Sequence, residues 1–507
     1  MSTSDNKNSE ASTEVFCEYT DTGLVFRLGE KIVGPLTFQD PEDSNSVLKI
    51  ASELGVDPKV ILAAKLKAIQ KPITILELNR ILATTVKRDE PAKAITFLGM
   101  LNAQTEEDQF NLAYQAESST GKSYIPLELI AYFPEDDQRI YAGASPTSFF
   151  HEIGQWDKNR KVIVVDLAGK IVIFMDQPHW MLMERLRPLL SHDRKVLVYK
   201  ITDKREKAGL RTKTVEILGY PTVVFCTAKP TLEDQERTRL WLLSPEITHE
   251  KLLDSLRLIT AKETHLQRFR IFIESHPLRR WLKARIEGIR NTGIRNVVIP
   301  NGDRILDRFL TRKTHLNPRD TRDYPRLLRL IKANALLNCF AREKEDHQTI
   351  IANDDDVEAG FQLYESVAKS NELGLSPETY RIFEDVIIPL SKDGNGITRK
   401  EITHSYFELY HRPLADDRLR RQIIPALESA GLVSQEANPM DRREMLLYPT
   451  VSSPISPLSQ PEEYRGKNSG VNPCEKCGSL EAKMHLIPNK GTHWLCDRCL
   501  QDYEGKV

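Results

Sequence analysis

The 507-residue chain predicts an α/β fold built on a mainly parallel sheet, on three observations. Between about Glu106 and Glu246 the apolar runs NLAY, KVIVVD, KIVIFMD, TVVFCTA and LWLLSP alternate with helical stretches such as HWMLMERLRPLL, the pattern of strands buried on both faces. The first of these runs leads through AESSTGKS into an apolar helix, YIPLELIAYF. Four of the seven cysteines close the chain as two C-x₂-C pairs.

Taken in order, residues 1–13 are Ser/Asn/Glu-rich and predict disorder. Residues 14–105 open with short strands (VFCEYT, GLVFRL, KIVGPLTF) and turn helical from Ser46, reading as a small strand-and-helix adaptor. Residues 106–248 hold the sheet, and 249–373 form an Arg-rich helical region that includes LRRWLKARIEGIR and YPRLLRLIKANALLNCFARE. Residues 374–450 make another small domain, 451–470 a Pro/Ser/Gly linker, and 471–507 the cysteine module. Lys plus Arg number 71 against 72 for Asp plus Glu, which excludes a uniformly basic nucleic-acid coat and leaves local patches. With no export signal and no apolar run long enough to span a membrane, the expected location is the cytoplasm. Cys17, Cys226 and Cys339, scattered in apolar contexts, read as reduced core residues.

Ala116, Glu117, Ser118, Ser119, Thr120, Gly121, Lys122 and Ser123 have the spacing of a phosphate-binding loop, with Ala116 at the first glycine position. Such a loop turns successive backbone N–H groups toward a phosphate; Lys122 would reach the β/γ-phosphates and the Ser123 hydroxyl would sit on Mg²⁺, making ATP and Mg²⁺ the expected ligands. A nucleotide hydrolase also needs a carboxylate at a strand end to hold Mg²⁺, followed by a glutamate that polarises water. Asp166 and Asp176 compete for the first role, and Asp176 is preferred because Asp166 opens a tight turn between strands. Its neighbour is Gln177, which orients water but is no base. Thr227 ends the TVVFCTA strand, either to sense the γ-phosphate or to cap a turn. Arg237 and Arg239 precede the LWLLSP strand, where an arginine is either a finger for a neighbouring subunit's nucleotide or a solvated charge.

KVLVYKITDKREKAGLRTKTVEIL reads as two strands around a basic tip carrying Lys204, Arg205, Lys207 and Arg211. It is suited to contacting phosphates without reading sequence, or to keeping a sheet edge soluble. In 374–450 the order is helix, helix, helix, then two short strands around ANPMDRRE: a winged helix. Arg418, Arg420 and Arg421 lie near the start of its recognition helix, where DNA contact and protein contact both remain open; Asp416 and Asp417 beside them weaken the former. Cys474, Cys477, Cys496 and Cys499 give C-x₂-C-x₁₈-C-x₂-C, spacing for four thiolates around a structural Zn²⁺ in a zinc ribbon, which could face DNA or protein.

AESSTGKS, KIVIFMD, the arginine of RTRLWLL and the helix TRDYPRLLRLIKANALL together resemble an AAA+ ATPase, most similar to minichromosome-maintenance helicases and their relatives on mobile elements. The resemblance covers about residues 111–450. In that family a helical lid begins with a Thr-Arg pair, continues through a Leu-Ile-Arg-Leu run and small residues, and is followed by an acidic-Val-x-x-Ala helix start. Thr321, Arg322, LLRLIKANALL and DDDVEAGFQLYESV keep that order. The resemblance implies that Arg322 is the sensor-2 arginine and that the chain forms a homo-oligomeric ring, a hexamer. It also implies single-stranded or forked DNA as partner, with the basic hairpin in the central channel, alongside replication proteins and no membrane. The departures are Ala116 for glycine, Gln177 for the Walker B glutamate, and Thr227 where the family usually has asparagine. Two functions follow: an ATP-dependent DNA motor, or a nucleotide-gated DNA-binding regulator with weak or no hydrolysis.

Overall fold

The computed structural model describes residues 14–36, 44–117, 119–143, 154–203, 211–227, 238–313, 315–391, 395–441, 443–450, 483–487 and 491–495. Two compact units result, 1–450 and 451–507. Ser118, Lys204, Arg205, Lys207, Arg237, Cys474, Cys477, Cys496 and Cys499 lie outside the described residues, as do the proposed disordered start and the linker.

The first unit opens with the antiparallel strands β1 (Phe16–Thr20), β2 (Gly23–Leu28) and β3 (Lys31–Leu36), followed by helices α1 (Ser44–Leu54) and α2 (Pro58–Gln70). Val15, Leu24, Phe26, Ile50, Leu54 and Ile61 give this front piece its own small core. The adaptor ends sooner than its sequence indicates. From Ile73 onward, α3 (Ile75–Leu82) and α4 (Glu90–Leu101) bury their apolar faces in the main core, and Phe97, Leu98 and Leu101 are fully buried there.

The central sheet is five-stranded and parallel. Its strands are β4 (Asn111–Gln115), which leads into α5 (Tyr124–Ile130), then β5 (Gln138–Tyr141), and further along β8 (Ile171–Phe174), β11 (Thr222–Thr227) and β12 (Leu240–Leu243), in spatial order β12-β4-β11-β8-β5. Between β5 and β12 come β6 (Gln155–Asp157), β7 (Val162–Asp166), α6 (Trp180–Leu190), β9 (Val196–Asp203) and β10 (Arg211–Leu218). Here the structure corrects the sequence reading: KVIVVD is not in the parallel sheet. It is β7 of a second, mixed sheet ordered β6-β7-β10-β9, in which β9 and β10 form the expected antiparallel hairpin. QRIY, too polar to stand out as a run, supplies the edge strand β5 instead.

Alternation explains the layers, since successive side chains of a strand point to opposite faces. Leu112, Tyr114, Val224, Cys226, Trp241 and Leu243 face one core; Ala113, Val223, Phe225, Leu240 and Leu242 face the other. The first face is covered by α4 and by the later helices α9 (Pro277–Thr292), α11 (Asp320–Leu337) and α12 (Asp354–Glu372); the second by α6 and the mixed sheet. Before and among those helices come α7 (His249–Thr264), α8 (Leu266–Ser275) and α10 (Gly302–Leu310), with the short parallel pair β13 (Asn296–Val298) and β14 (Thr349–Ile351). Fully buried Arg285 on α9 donates to the carbonyls of Ile69, Lys71 and Leu337, tying the front helices to α11.

The small domain has a separate core. Its helices are α13 (Pro377–Ile382, continuing through Phe383–Ile387 into Ile388–Leu390), α14 (Arg399–Tyr410) and α15 (Asp416–Arg418, continuing through Leu419–Ile423 into Ile424–Ser429), and the antiparallel strands β15 (Val433–Ala437) and β16 (Met445–Pro449) follow. The middle segments of α13 and α15 are π-helical, and each leads directly into an Ile-Pro pair. Proline lacks the N–H and crowds the carbonyl four residues back, and the wider turn relieves both. In the second unit the strands β17 (Lys483–Ile487) and β18 (Gly491–Leu495) pair antiparallel between the two cysteine pairs. Among the described residues no helix is long and apolar enough to cross a membrane.

Candidate nucleotide site

The loop after β4 has the backbone its sequence demands. Ser119 and Gly121 hold positive φ angles of 66° and 88°. A side chain at Gly121 would meet no atom within 4 Å, so glycine is required there by conformation and not by space. Ala116 keeps an ordinary φ and is buried, which is why a Cβ is tolerated at the first glycine position; its N–H donates to the Thr227 carbonyl. The Glu117 carbonyl gathers the loop, accepting from the Thr120 hydroxyl at 2.8 Å and from Lys122 Nζ at 3.3 Å. Lys122 and Ser123, half-buried, lead into the first turn of α5.

Strand order brings the other expected residues to the same end of the sheet. β11 lies between β4 and β8, so the C-terminal ends of all three strands sit side by side. Asp176, exposed just beyond β8, accepts the Gln177 N–H on Oδ1. Buried Thr227 donates its hydroxyl to Gln177 Oε1 at 3.2 Å. Cys226 beside it is pushed up to about 12, chiefly by burial, and stays a neutral thiol. The hard oxygens of Ser123, Asp176 and Thr227 suit Mg²⁺, and Lys122 with the loop N–H groups suits a polyphosphate. The crevice outside the carboxyl ends of parallel strands is where open α/β sheets take ligands.

Arg239 and Arg322 lie elsewhere. Arg239 precedes β12 and donates to the Ser191 hydroxyl at 2.6 Å, while exposed Arg322, at the start of α11, donates to the Thr238 hydroxyl. Leu240 pairs with Asn111, the first residue of β4, whereas the loop follows the last. A five-residue strand separates the arginines from their own loop, about 15 Å at 3.3 Å per residue. One turn beyond Arg322, Arg326 is the buried arginine of this group. It bonds Asp323 and the Thr238 carbonyl, and burial pushes it down to about 10.

For Arg418 the sequence left DNA contact and protein contact both open, and the structure sets it against the phosphate loop of the same chain. Apolar Leu414, Leu419, Ile423 and Leu427 turn into the core of the small domain, which leaves Arg418 and Gln422, one turn apart, facing the phosphate loop. Arg418 pairs with Glu117 at 2.6 Å and with buried Glu378 at 2.9 Å, and its side chain is only 16% exposed. Arg412, which the sequence did not single out, takes the other Glu117 oxygen. Arg420 and Arg421 are exposed, and each pairs with Asp417. Arg211 begins β10, opposite Asp203.

No family model and no curated protein matches the chain. Among the described residues no group of three His, Cys, Asp or Glu is arranged to hold a metal ion.

Proposed function

We propose that the chain is an ATP-dependent DNA motor of the AAA+ class, a ring-forming helicase or replication-initiation ATPase similar to minichromosome-maintenance proteins. The observation that carries this reading is the convergence of the 116–123 loop, Asp176, Gln177 and Thr227 at one end of a parallel sheet, the set of groups that phosphoryl chemistry uses. Arg239 and Arg322 stand at the other end of that sheet and are out of reach of their own loop. In a head-to-tail ring this arrangement offers both arginines to the next subunit's nucleotide, so a complete site needs two copies. The β9-β10 hairpin of the second sheet, whose connecting sequence is basic, is the element that would follow a DNA strand. In the small domain Ile397 bridges to Leu447 beside the β15-β16 hairpin, an arrangement that supports a winged helix. The four C-terminal cysteines support a Zn²⁺ ribbon.

Gln177 favours a second reading, a nucleotide-gated DNA-binding regulator in which ATP sets assembly without rapid turnover. ATP turnover measured with and without single-stranded DNA, beside Lys122→Ala, separates the two. The motor requires strand-stimulated turnover, a loss of about a hundredfold in Lys122→Ala, and unwinding of a forked duplex. It also requires that Arg239→Ala subunits mixed into wild type poison the assembly. Turnover indistinguishable from Lys122→Ala would sink the motor and leave the regulator.

A further inference from the structure

The phosphate loop carries an acid at the position after Ala116, and a carboxylate there repels the phosphates the loop is shaped to hold. The small domain meets this charge. Glu117 Oε1 pairs with Arg418 and Oε2 with Arg412, the two arginines coming from α15 and from the turn before it. Arg418 is fixed in turn by Glu378, which is 4% exposed in the first turn of α13. Between loop and helices lies a cavity of about 410 Å³, lined by Gln115, Ala116 and Glu117 on one side and Thr379, Arg418 and Gln422 on the other. The contact joins residues some three hundred positions apart, and the described surface offers Arg412 and Arg418 no nearer acid than these.

We infer that Arg412 and Arg418 are positioning residues for nucleotide binding: by neutralising Glu117 they let the loop accept a triphosphate, and they make its affinity depend on the docked small domain. The inference rests on the reading of 116–123 as a nucleotide site. It has a charge signature. The four side chains Glu117, Glu378, Arg412 and Arg418 sum to zero; removing an arginine leaves one negative charge beside the phosphates, and removing Glu117 leaves one positive charge.

The test is equilibrium binding of a fluorescently labelled ATP with Mg²⁺ to wild type, Arg418→Met, Arg412→Met, Glu117→Gln, the double variant Glu117→Gln/Arg418→Met, and Lys122→Ala, at low and high salt. Each unit of charge is expected to move affinity by about tenfold. Arg418→Met and Arg412→Met then bind about tenfold more weakly, Glu117→Gln more tightly, and the double variant returns to near the wild-type value. The differences shrink at high salt. A purely structural role for Arg418 would leave the double variant as weak as Arg418→Met and the losses insensitive to salt, and either result overturns the inference. Should Arg418→Met not fold, Arg412→Met carries the same comparison from a side chain that, among the described residues, makes its ion pair with Glu117. Wild-type binding with both arginine variants unchanged would sink this inference alone; wild type binding no better than Lys122→Ala would sink the nucleotide reading and this inference with it.

Discussion

Gly360→Ala tests how closely the two helices over the first face of the sheet approach each other. Gly360 lies in α12 against Ile331 of α11. A Cβ added there would stand 2.4 Å from Ile331 Cγ1, 3.1 Å from its backbone N and 3.2 Å from its Cα. Ordinary contact begins near 3.4 Å, so Ile331 Cγ1 must move by about 1 Å and the facing backbone by a few tenths of an ångström. A rotamer change of Ile331 relieves the first contact and neither of the backbone ones. Alanine brings a helix-propensity gain of about 1 kcal/mol, and overpacking a dense core costs about 1–3 kcal/mol. The Cγ1 clash and the two tight backbone contacts together outweigh the propensity gain, so the expected net loss is about 1 kcal/mol. Urea titration beside wild type, with amide hydrogen exchange followed in α11 and α12, reads both the loss and its location. Adding Ile331→Ala removes Cγ1 and should recover part of the steric loss, so that the double variant is less destabilised than the two single losses predict. A Gly360→Ala protein as stable as wild type, with unchanged exchange in both helices, would refute the packing argument.

Three further outcomes are expected. His192, its ring tilted against that of Tyr220 with centroids 4.5 Å apart at the base of the β9-β10 hairpin, is pushed down from 6.5 to about 3, first by burial and then by Arg329. The unfolded chain therefore takes up a proton near 6.5 that the folded chain refuses, so stability should fall as pH drops through 6.5 toward 3. His192→Phe should flatten that part of the denaturation profile, and an unchanged profile would count against it. Gln177→Glu puts a carboxylate within reach of the Thr227 hydroxyl, and in the proposed motor it should raise single-turnover ATP hydrolysis by about 10²-fold with little change in ATP affinity; an unchanged rate would show that water activation at this position is not limiting. Zn²⁺ should be found at one equivalent per chain after purification without chelator, and metal analysis showing none would dismiss the ribbon.

The parallel strands were legible because each is buried on both faces and so reads as an unbroken apolar run. That same property hid which sheet a run joins. β7 is as apolar as β8, yet it pairs with β10, and nothing in its five residues says so. β5 was missed for the opposite reason, since an edge strand whose side chains are half-buried or, at Ile140, exposed has no apolar run to show. The loop, Asp176, Gln177 and Thr227 were legible as strand-end residues, and strand order alone brought them together. The Glu117 cluster was not legible, because an ion pair between distant segments leaves no spacing in the chain. The carboxamide of Asn371 is another such case: it pairs with both the N–H and the carbonyl of Leu242, satisfying the open edge of β12 from a helix 129 residues away.

The Thr227–Gln177 bond narrows what glutamine does in the proposed site. The hydroxyl donates to Oε1, so the carboxamide NH₂ is the group of Gln177 left to donate to a ligand or water. An NH₂ donates to the oxygen of a water molecule and cannot take its proton. In the proposed site Gln177 in this pose orients a nucleophile, and the proton passes to the γ-phosphate, to Asp176 or to a carboxylate from another subunit. In the proposed motor the first route is slow, and the last is open only in an assembled ring. Where the last route operates, turnover depends on assembly, and the dependence of ATPase rate on protein concentration, steeper than linear below the assembly midpoint, separates a ring-borne site from one that works in a single chain.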